Sequence, residues 1–121
     1  MSTLELAKKF VALCHQHRDA EALDTMFAKD AVSVEAAAMP NLPQEMHGVE
    51  AIKGKGKWWV ENHEVHSAVV EGPYPNGDRF AVRFNYDVTR KATGERIKMD
   101  EVALYTVRDG KIVREEFFYI T

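Results

Sequence analysis

The chain has 121 residues, of which 45% are hydrophobic and 29% are charged, and its net charge is −3. These values are typical of a globular protein that buries a core without disulfides or a structural metal, and they predict a single domain over residues 1–121. The mild charge and the lack of an arginine-rich stripe exclude a typical nucleic-acid binder, and the sequence has no run of ~18 apolar residues that could span a membrane.

Cys14 is the single cysteine of the chain. It cannot form an internal disulfide, which suits a reducing cytoplasm. Its amphipathic helical surroundings favour a buried, inert thiol over a catalytic one, because neighbouring helical positions project from different faces. The N-terminus also lacks the basic and then apolar segments of a signal peptide. We therefore expect a cytoplasmic protein.

Two helices are predicted at the N-terminus. Ser2 and Glu5 have the spacing of a capping box, and apolar residues at helical spacing continue to about His17. Asp19 is a candidate N-cap for a second helix, which we expect to end at residues 29–30.

A short strand and a long loop follow. Residues 31–35 alternate with period two, and residues 36–47 contain two prolines and little periodicity. A loop of this length is often a lid or a binding loop. Met39 and Met46 within it either line the mouth of a pocket or plug the loop to the core.

A third helix is predicted from Gly48, with Ile52, Trp59 and His63 along one face. Glycines at positions 54 and 56 weaken it by ~1 kcal/mol each relative to alanine, and they would admit a close neighbour. Three lysines alternate with these glycines, and we interpret them as a solvated helix face: Lys53, Lys55 and Lys57.

Four strands are predicted in the C-terminal half. Residues 65–71 form the first, and a turn over residues 72–77 leads into three runs rich in β-branched and aromatic residues. These runs are residues 78–88, 96–107 and 112–120. Asp109-Gly110 between the last two is a strong hairpin signal, because glycine supplies the positive φ of the turn. The order of elements predicts an α+β fold.

Four segments match a known pattern, namely residues 26–32 (MFAKDAV), 48–52 (GVEAI), 77–83 (GDRFAVR) and 107–113 (VRDGKIV). Together they resemble the nuclear transport factor 2-like superfamily, which includes SnoaL-like polyketide cyclases and ketosteroid isomerases. The resemblance implies a cone-shaped fold in which a curved antiparallel sheet wraps around N-terminal helices and encloses an apolar pocket. It leaves the activity open, because this fold hosts enzymes, binding modules and dimerisation domains.

Strand alternation within this fold determines which side chains reach the pocket. The resemblance implies that twelve point inward: Phe80, Val82, Phe84, Tyr86, Glu101, Ala103, Tyr105, Val107, Val113, Glu115, Phe117 and Tyr119. Four apolar residues remain on the opposite face, namely Val102, Leu104, Phe118 and Ile120. A solvated face should not carry them, so we expect a homodimer through the outer face of the sheet.

Glu35 is the first catalytic candidate. In the ungapped match through residues 30–32, it falls where ketosteroid isomerases place their general base. Independently of the family, a carboxylate in an apolar cavity loses hydration, so its pKa rises and it can shuttle protons near neutral pH. The alternative is a solvated residue at the start of the loop.

Two further carboxylates are predicted to point inward on neighbouring strands. Glu101 and Glu115 could form an acid pair or contact an inward cation. A register that differs by one residue would send both to solvent and replace them with Asp100 and Glu116.

Tyrosines and one histidine are the candidate hydrogen-bond donors to a substrate oxygen. We assign Tyr105 a catalytic role, and Tyr86 and Tyr119 a binding role. His63 is a further donor, and Trp59 is a candidate wall of the pocket.

The residues depart from the ketosteroid isomerase pattern at two positions. Those enzymes use a first-helix tyrosine and a protonated aspartate as an oxyanion hole. The matching positions fall near Val11 and at Val102 or Ala103, which cannot donate a proton. The steroid-isomerase mechanism itself is therefore not expected.

No metal site is expected. His63 and His66 are three residues apart, but they lie at a predicted helix end and in a strand, so they are not preset on one surface.

Two functions stay open. The first is a cofactor-independent isomerase, cyclase or lyase-like enzyme that acts on a small apolar or aromatic, carbonyl-bearing molecule. Glu35 would be its base, and Glu101 or a tyrosine its acid. The second is a non-catalytic ligand-binding or dimerisation module of the same fold.

Overall fold

The computed structural model describes residues 1–120, and within them it contains three helices and six strands. The helices are α1 (Thr3–His15), α2 (Asp19–Met26) and α3 (Val49–Asn62). The strands are β1 (Phe27–Val34), β2 (Glu45–His47), β3 (His63–Asn76), β4 (Arg79–Arg90), β5 (Arg96–Arg108) and β6 (Lys111–Phe118). No helix within residues 1–120 is long and apolar enough to cross a membrane.

The six strands form one sheet in the order β2-β1-β6-β5-β4-β3. Neighbouring strands are antiparallel except for β1 and β6, which are parallel. The sheet is curved and open, and it carries the N-terminal helices. The predicted α+β fold is therefore confirmed, with one parallel strand pair in a sheet that was expected to be antiparallel.

Helix α1 packs on the inner face of the sheet, which is the face that carries Phe80 and Tyr105. The Phe10 ring of α1 lies 5.9 Å from the ring of Phe80 and 4.7 Å from the ring of Tyr105, measured between centroids. Each such aromatic pair adds about 0.5–1.5 kcal/mol beyond the area it buries. Hydrophobic side chains therefore fill this part of the interior.

The helix–strand boundary near residue 27 differs from the prediction. Helix α2 ends at Met26 instead of residues 29–30, and β1 begins at Phe27. Phe27 is buried and pairs with Ile112 of β6. Pairing with a distant strand, which local spacing does not reveal, therefore sets this boundary.

Two further segments are more regular than predicted. Strand β3 runs through the predicted turn at residues 72–77, because its pairing with β4 continues as far as Asn76 and Arg79. The predicted loop over residues 36–47 contains β2, which pairs with β1. Within this segment Met46 packs against the core, whereas Met39 is exposed.

The register of β5 places Glu101 opposite the buried Phe84, and it places the exposed Asp100 on the outer face. The inward register of Glu101 is therefore the one that the structure adopts. On β6, a register shift follows the pairing of Thr106 with Arg114.

This shift changes one predicted position on β6. Ile112, instead of Val113, is buried on the inner face, and the inward alternation resumes at Glu115. A β-bulge inserts one residue into a strand, so simple alternation fails across it.

The glycines of α3 do not make room for a neighbour. A Cβ added at Gly54 or Gly56 would meet nothing within 4 Å. The expected close approach to this helix is therefore wrong, and the two glycines weaken α3 without a packing reason.

A pair of glycine substitutions tests these local assignments. Gly110 has a φ of 75° and follows Asp109 at 52°, as in a type I′ hairpin turn. Gly110→Ala should destabilise the protein by about 1–2 kcal/mol, because alanine is strained in the left-handed region. Gly54→Ala should stabilise it by up to ~1 kcal/mol, because alanine is the better helix former. Urea denaturation measures both changes, and an equal loss in the two variants would contradict the assignment.

Candidate active site

Strand β1 delivers two polar side chains to the inner face near its end. Ser33 is fully buried, and Glu35 follows the last residue of the strand. The Glu35 amide donates a hydrogen bond of 2.8 Å to the Gln44 carbonyl. The backbone of Glu35 is thereby fixed on the segment that leads into β2, so its side chain starts from a defined position.

Helix α3 supplies a buried lysine to the same place. The Lys55 Nζ donates to Glu35 Oε1 at 2.7 Å and to Ser33 Oγ at 2.5 Å. It also lies 5.0 Å from the centroid of the Phe117 ring, within the range of a cation–π contact. Lys55 is only 9% exposed. The predicted solvated position of this lysine is therefore wrong.

Ser33 connects the lysine to a second carboxylate. Its Oγ donates to Glu115 Oε2 at 2.6 Å. Glu115 is 6% exposed, and burial raises the pKa of its carboxyl, while the Ser33 hydrogen bond and the Lys55 charge act in the opposite direction. A buried carboxylate needs such partners, because an unpaired charge away from water is very costly.

Tyr119 completes the hydrogen bonding of Glu35. Its hydroxyl donates to Glu35 Oε2 at 2.9 Å, so the two oxygens of Glu35 accept from two different groups. Burial raises the pKa of Tyr119, and the hydrogen bond to Glu35 raises it further. Tyr119 is therefore a neutral donor at physiological pH. We call Glu35, Lys55, Ser33, Glu115 and Tyr119 the acid network.

Glu101 lies beside the acid network on β5. Strands β5 and β6 are antiparallel, and Val102 pairs with Phe118 at the end of their pairing. Glu101 therefore lies next to Tyr119. Burial raises the pKa of Glu101 to about 7, the negative charge of Glu35 adds to the shift, and Lys55 opposes it. A carboxyl with this pKa is about half protonated at neutral pH, so it can both donate and accept a proton.

Aromatic rings from α3 and β4 form a wall beside Glu101. The Trp59 ring lies 5.5 Å from the Tyr86 ring, and the Phe84 and Tyr86 rings are stacked at 5.9 Å. Burial raises the pKa of Tyr86, and the nearby Glu101 charge adds to the effect. Tyr86 therefore stays neutral and can donate a hydrogen bond.

His63 lies at the far end of this wall, stacked on Trp59 at 4.6 Å. Its Nδ1 is 2.8 Å from the Trp59 carbonyl oxygen. A carbonyl only accepts, so this contact assigns the proton to Nδ1 and leaves Nε2 as an acceptor in the neutral ring.

A surface cleft of about 380 Å³ leads to Glu35. We call it the β6 cleft. It is lined by Val34, Glu35, Ala36, Gln44, Arg114, Glu116, Phe117, Phe118 and Tyr119. Glu35 and Tyr119 belong both to this cleft and to the acid network, so the cleft borders the network.

The structure divides the sequence-predicted site residues into two groups. Phe80, Val82 and Tyr105 are at most 2% exposed and lie in the hydrophobic core. The others belong to the acid network, lie beside it or form the aromatic wall: Glu35, Glu101, Glu115, Phe117, Tyr119, Phe84, Tyr86, Trp59 and His63. Their roles stay predictions.

Two residues of the network were not predicted, although the sequence contained a signal for each. Lys55 is three residues after Ile52 and four before Trp59, so it shares the inward face of α3. Ser33 is two residues before Glu35 and therefore shares its face of β1. Helical and strand periodicity, applied to polar residues as well as apolar ones, would have found both.

The described residues 1–120 contain no group of three or more histidine, cysteine, aspartate or glutamate side chains placed to hold a metal ion. The acid network instead uses Lys55 as the cation between its carboxylates.

Comparison with known proteins places the fold within a family. A family model described as the SnoaL-like domain matches residues 1–119. Curated proteins gave no significant sequence match to the chain. Among solved structures, a Mesorhizobium loti protein, provisionally named a SnoaL-like polyketide cyclase, is 53% identical over 98% of this chain and 100% of its own, with a TM-score of 0.93.

Two more distant structures share the architecture. An NTF2-like protein of Burkholderia thailandensis is 19% identical over 98% of this chain and 90% of its own, with a TM-score of 0.83, and it shows the fold alone. A Catenulispora acidiphila protein with a ketosteroid isomerase-like fold, in complex with trimethylamine, is 25% identical over 81% of this chain and 72% of its own, with a TM-score of 0.66.

Replacing the buried lysine tests the acid network. Lys55→Met should destabilise the protein by about 3–5 kcal/mol, because it leaves buried carboxylates without their cation. Lys57→Met on the same helix is the matched control, since its side chain is 79% exposed. The control should change stability by less than ~0.5 kcal/mol. Chemical denaturation at neutral pH measures both, and similar stabilities of the two variants would disprove the buried ion pair.

The Glu101 carboxyl should make stability depend on pH. Its pKa is raised from 4.5 to about 7, so the unfolded chain loses this proton first and stability falls as the pH rises through that window. Glu101→Gln removes the cost of ionisation, which is at most about 3 kcal/mol. The variant should therefore be more stable than the parent near pH 8 and similar to it near pH 4.

Asp100→Asn is the control for this experiment. Asp100 neighbours Glu101 on β5 but is exposed, and its hydrogen bond to Arg83 lowers its pKa. The effect of Asp100→Asn on the free energy of unfolding should not change between pH 5 and pH 8. A constant difference between Glu101→Gln and the parent over the same range would refute the partly buried, inward position of Glu101.

Proposed function

The chain belongs to the SnoaL-like domain family, and from this premise we propose that it is a small-molecule enzyme of the isomerase or cyclase kind that works by proton transfer without a cofactor. The observation that carries the proposal is the position of Glu101 beside the acid network. The Glu35 carboxylate is held by Lys55, whereas the pKa of Glu101 is raised to about 7. Two carboxyl groups in such different surroundings are suited to opposite roles, one as base and one as acid, in one reaction.

The β6 cleft suggests how a substrate would bind. A small apolar or aromatic, carbonyl-bearing molecule in this cleft would pack against the Phe117 side chain, which lies on the inner face with Lys55, and would approach Glu35 from solvent. Tyr119 also lines the cleft, and its hydroxyl can move from Glu35 to a substrate oxygen.

The proposed reaction begins with the removal of a proton from the carbon next to the carbonyl. Glu35 takes this proton, and the electron pair of the C–H bond becomes the double bond of an enol. Glu101 gives its proton to the carbonyl oxygen at the same time. Where the enol is conjugated with a C=C bond, Glu35 returns its proton to the far carbon of that bond and the enol O–H returns its proton to Glu101, which completes an isomerisation. Where the molecule has a second carbonyl, the enol carbon attacks it and closes a ring; the new alkoxide takes the proton of Glu35, and the enol O–H again returns its proton to Glu101.

Deuterium exchange tests this function without knowledge of the natural substrate. The protein in D₂O should accelerate exchange of the proton next to the carbonyl in members of a panel of aromatic ketones and 1,3-diketones, followed by NMR. Glu35→Gln and Glu101→Gln should each lower the exchange rate by about 100-fold or more. Asp100→Asn should leave it unchanged, because Asp100 lies on the outer face.

The pH dependence provides the second criterion for the same assay. Glu101 acts as the acid, so the exchange rate should fall as the pH rises above about 7 and Glu101 loses its proton. Binding of the ketones without any exchange, or an equal loss of exchange in Asp100→Asn, would reject the proposed reaction.

A second candidate function is ligand binding without catalysis. Both oxygens of Glu35 already accept hydrogen bonds, so a base must give up one of them before it reacts. The Catenulispora acidiphila neighbour holds trimethylamine. An ammonium ligand of this kind would be attracted by Glu101 and by the rings of Trp59 and Tyr86. Calorimetric binding of trimethylammonium that is lost in Glu101→Gln, together with an inactive exchange assay, would favour this function.

We also propose a homodimer through the outer face of the sheet. Val102 is 38% exposed there and Phe118 is 52% exposed. The same face carries charges of both signs, with Arg83 paired to Asp100. A two-fold contact needs a patch that is complementary to itself, and a surface with apolar residues and both charge signs meets this requirement.

Sedimentation velocity tests the dimer. The parent chain should sediment as a dimer, and Val102→Glu should shift it to a monomer, because the new carboxylate lies in the apolar contact. Val60→Glu is the control, since Val60 is 65% exposed on α3. A monomeric parent, or dissociation by the control alone, would contradict the proposed interface.

A cytoplasmic location, proposed from the single buried thiol of Cys14, is compatible with either oligomeric state.

A further inference from the structure

Lys55 makes more contacts than neutralising one carboxylate requires. Its ammonium donates to Glu35 and to Ser33 and lies over the Phe117 ring. An ammonium group has three N–H bonds, and these three partners lie on β1, directly after β1 and on β6, whereas the lysine itself comes from α3. The lysine therefore fixes the relative positions of three elements around the Glu35 carboxylate.

The contact with Lys55 also determines which oxygen of Glu35 is available. Lys55 binds Oε1, while Oε2 accepts from Tyr119, which lines the β6 cleft. A ligand in the cleft that displaces the Tyr119 hydroxyl would meet Oε2, with Oε1 still held by the lysine. Without Lys55, nothing on the α3 side would keep the carboxylate in this orientation.

The lysine has a second effect, on Glu101. Glu101 is surrounded by Glu35 at the end of β1, Glu115 on β6 and Lys55 on α3, and all three influence its pKa. Three tyrosines also face this region, and burial keeps them neutral: Tyr86, Tyr105 and Tyr119. The charge around Glu101 is thus set by two carboxylates and one ammonium.

We propose that Lys55 is a positioning residue of the active site, which holds Glu35 with Oε2 toward the β6 cleft and offsets the negative charge that Glu35 and Glu115 place around Glu101. The inference rests on the proposed proton-transfer function, but its test does not require turnover. Lys55 acts through Glu35 and Glu101 and does not itself exchange a proton with the substrate.

Carbon-13 NMR of the glutamate carboxyl groups gives a direct readout. In the parent protein, the Glu101 resonance should titrate with a midpoint of about 7. In Lys55→Met the midpoint should rise by about one pH unit, because a nearby positive charge has been removed. In Lys57→Met it should not move. A folded Lys55→Met variant with an unchanged Glu101 midpoint would overturn the inference.

Chemical rescue separates the charge of Lys55 from its packing. Lys55→Ala removes the atoms of n-propylamine, so this amine should enter the vacated space, raise the melting temperature and return the Glu101 midpoint toward that of the parent. The neutral n-propanol, which has the same chain length, should do neither. If Lys55→Ala does not fold alone, recovered folding in the amine is the readout. Equal effects of the amine and the alcohol would show a purely structural role and overturn the inference.

These outcomes are distinguishable from failure of the proposed function. An inactive deuterium-exchange assay with a normal Lys55 response in the titrations would reject catalysis and retain the charge-balancing role of Lys55. Active exchange in the parent, with no response of the Glu101 midpoint to Lys55→Met, would support catalysis and reject the charge-balancing role of Lys55.

Discussion

The buried contact between Lys55 and the Glu35 carboxylate is the interaction on which the rest of the site depends. Taking an ammonium and a carboxylate out of water costs several kcal/mol per ion, and only close pairing with further hydrogen bonds offsets that cost. Here the further bonds come from Ser33 and Tyr119. Because these four residues come from α3, from β1 and the residue that follows it, and from the segment after β6, the pair forms only when the fold is complete.

The packing of α1 on the sheet limits where this contact can form. Helix α1 fills one part of the inner face through Phe10, which packs against Phe80 and Tyr105. The polar groups are thereby confined to the part of the interior near the end of β6. A low local dielectric strengthens each interaction there. Burial in this region raises the pKa of Glu101 to about 7, since Glu101 lacks the position of Glu35 beside the lysine. Stability and reactivity are thus opposed at Glu101, as is common for residues that work in acid–base chemistry.

The fold was predictable from the sequence to a large extent, and the site only in part. The Asp109-Gly110 turn and the alternation of β4 and β5 predict the strands of the sheet, because hairpin geometry is a local property. The inward position of Glu101 was implied only by the family resemblance, and the alternative register with Asp100 and Glu116 inward stayed open. The β6 bulge and the early start of β1 at Phe27 depend on pairing between distant segments, which local spacing does not reveal. Lys55 was missed for a different reason. A lysine between two glycines is usually solvated, and only its neighbours on the helix face, Ile52 and Trp59, indicate that it points inward.

The central claim concerns where the protons of the acid network lie, and neutron diffraction at neutral pH observes them directly. The account predicts three deuterons on Lys55, two of them directed at Glu35 Oε1 and Ser33 Oγ, and a Ser33 deuteron directed at Glu115. It also predicts a Tyr119 deuteron directed at Glu35 Oε2 and a partly occupied deuteron on Glu101. A neutral Lys55 amine beside a protonated Glu35, or a Glu101 without any deuteron, would contradict the account.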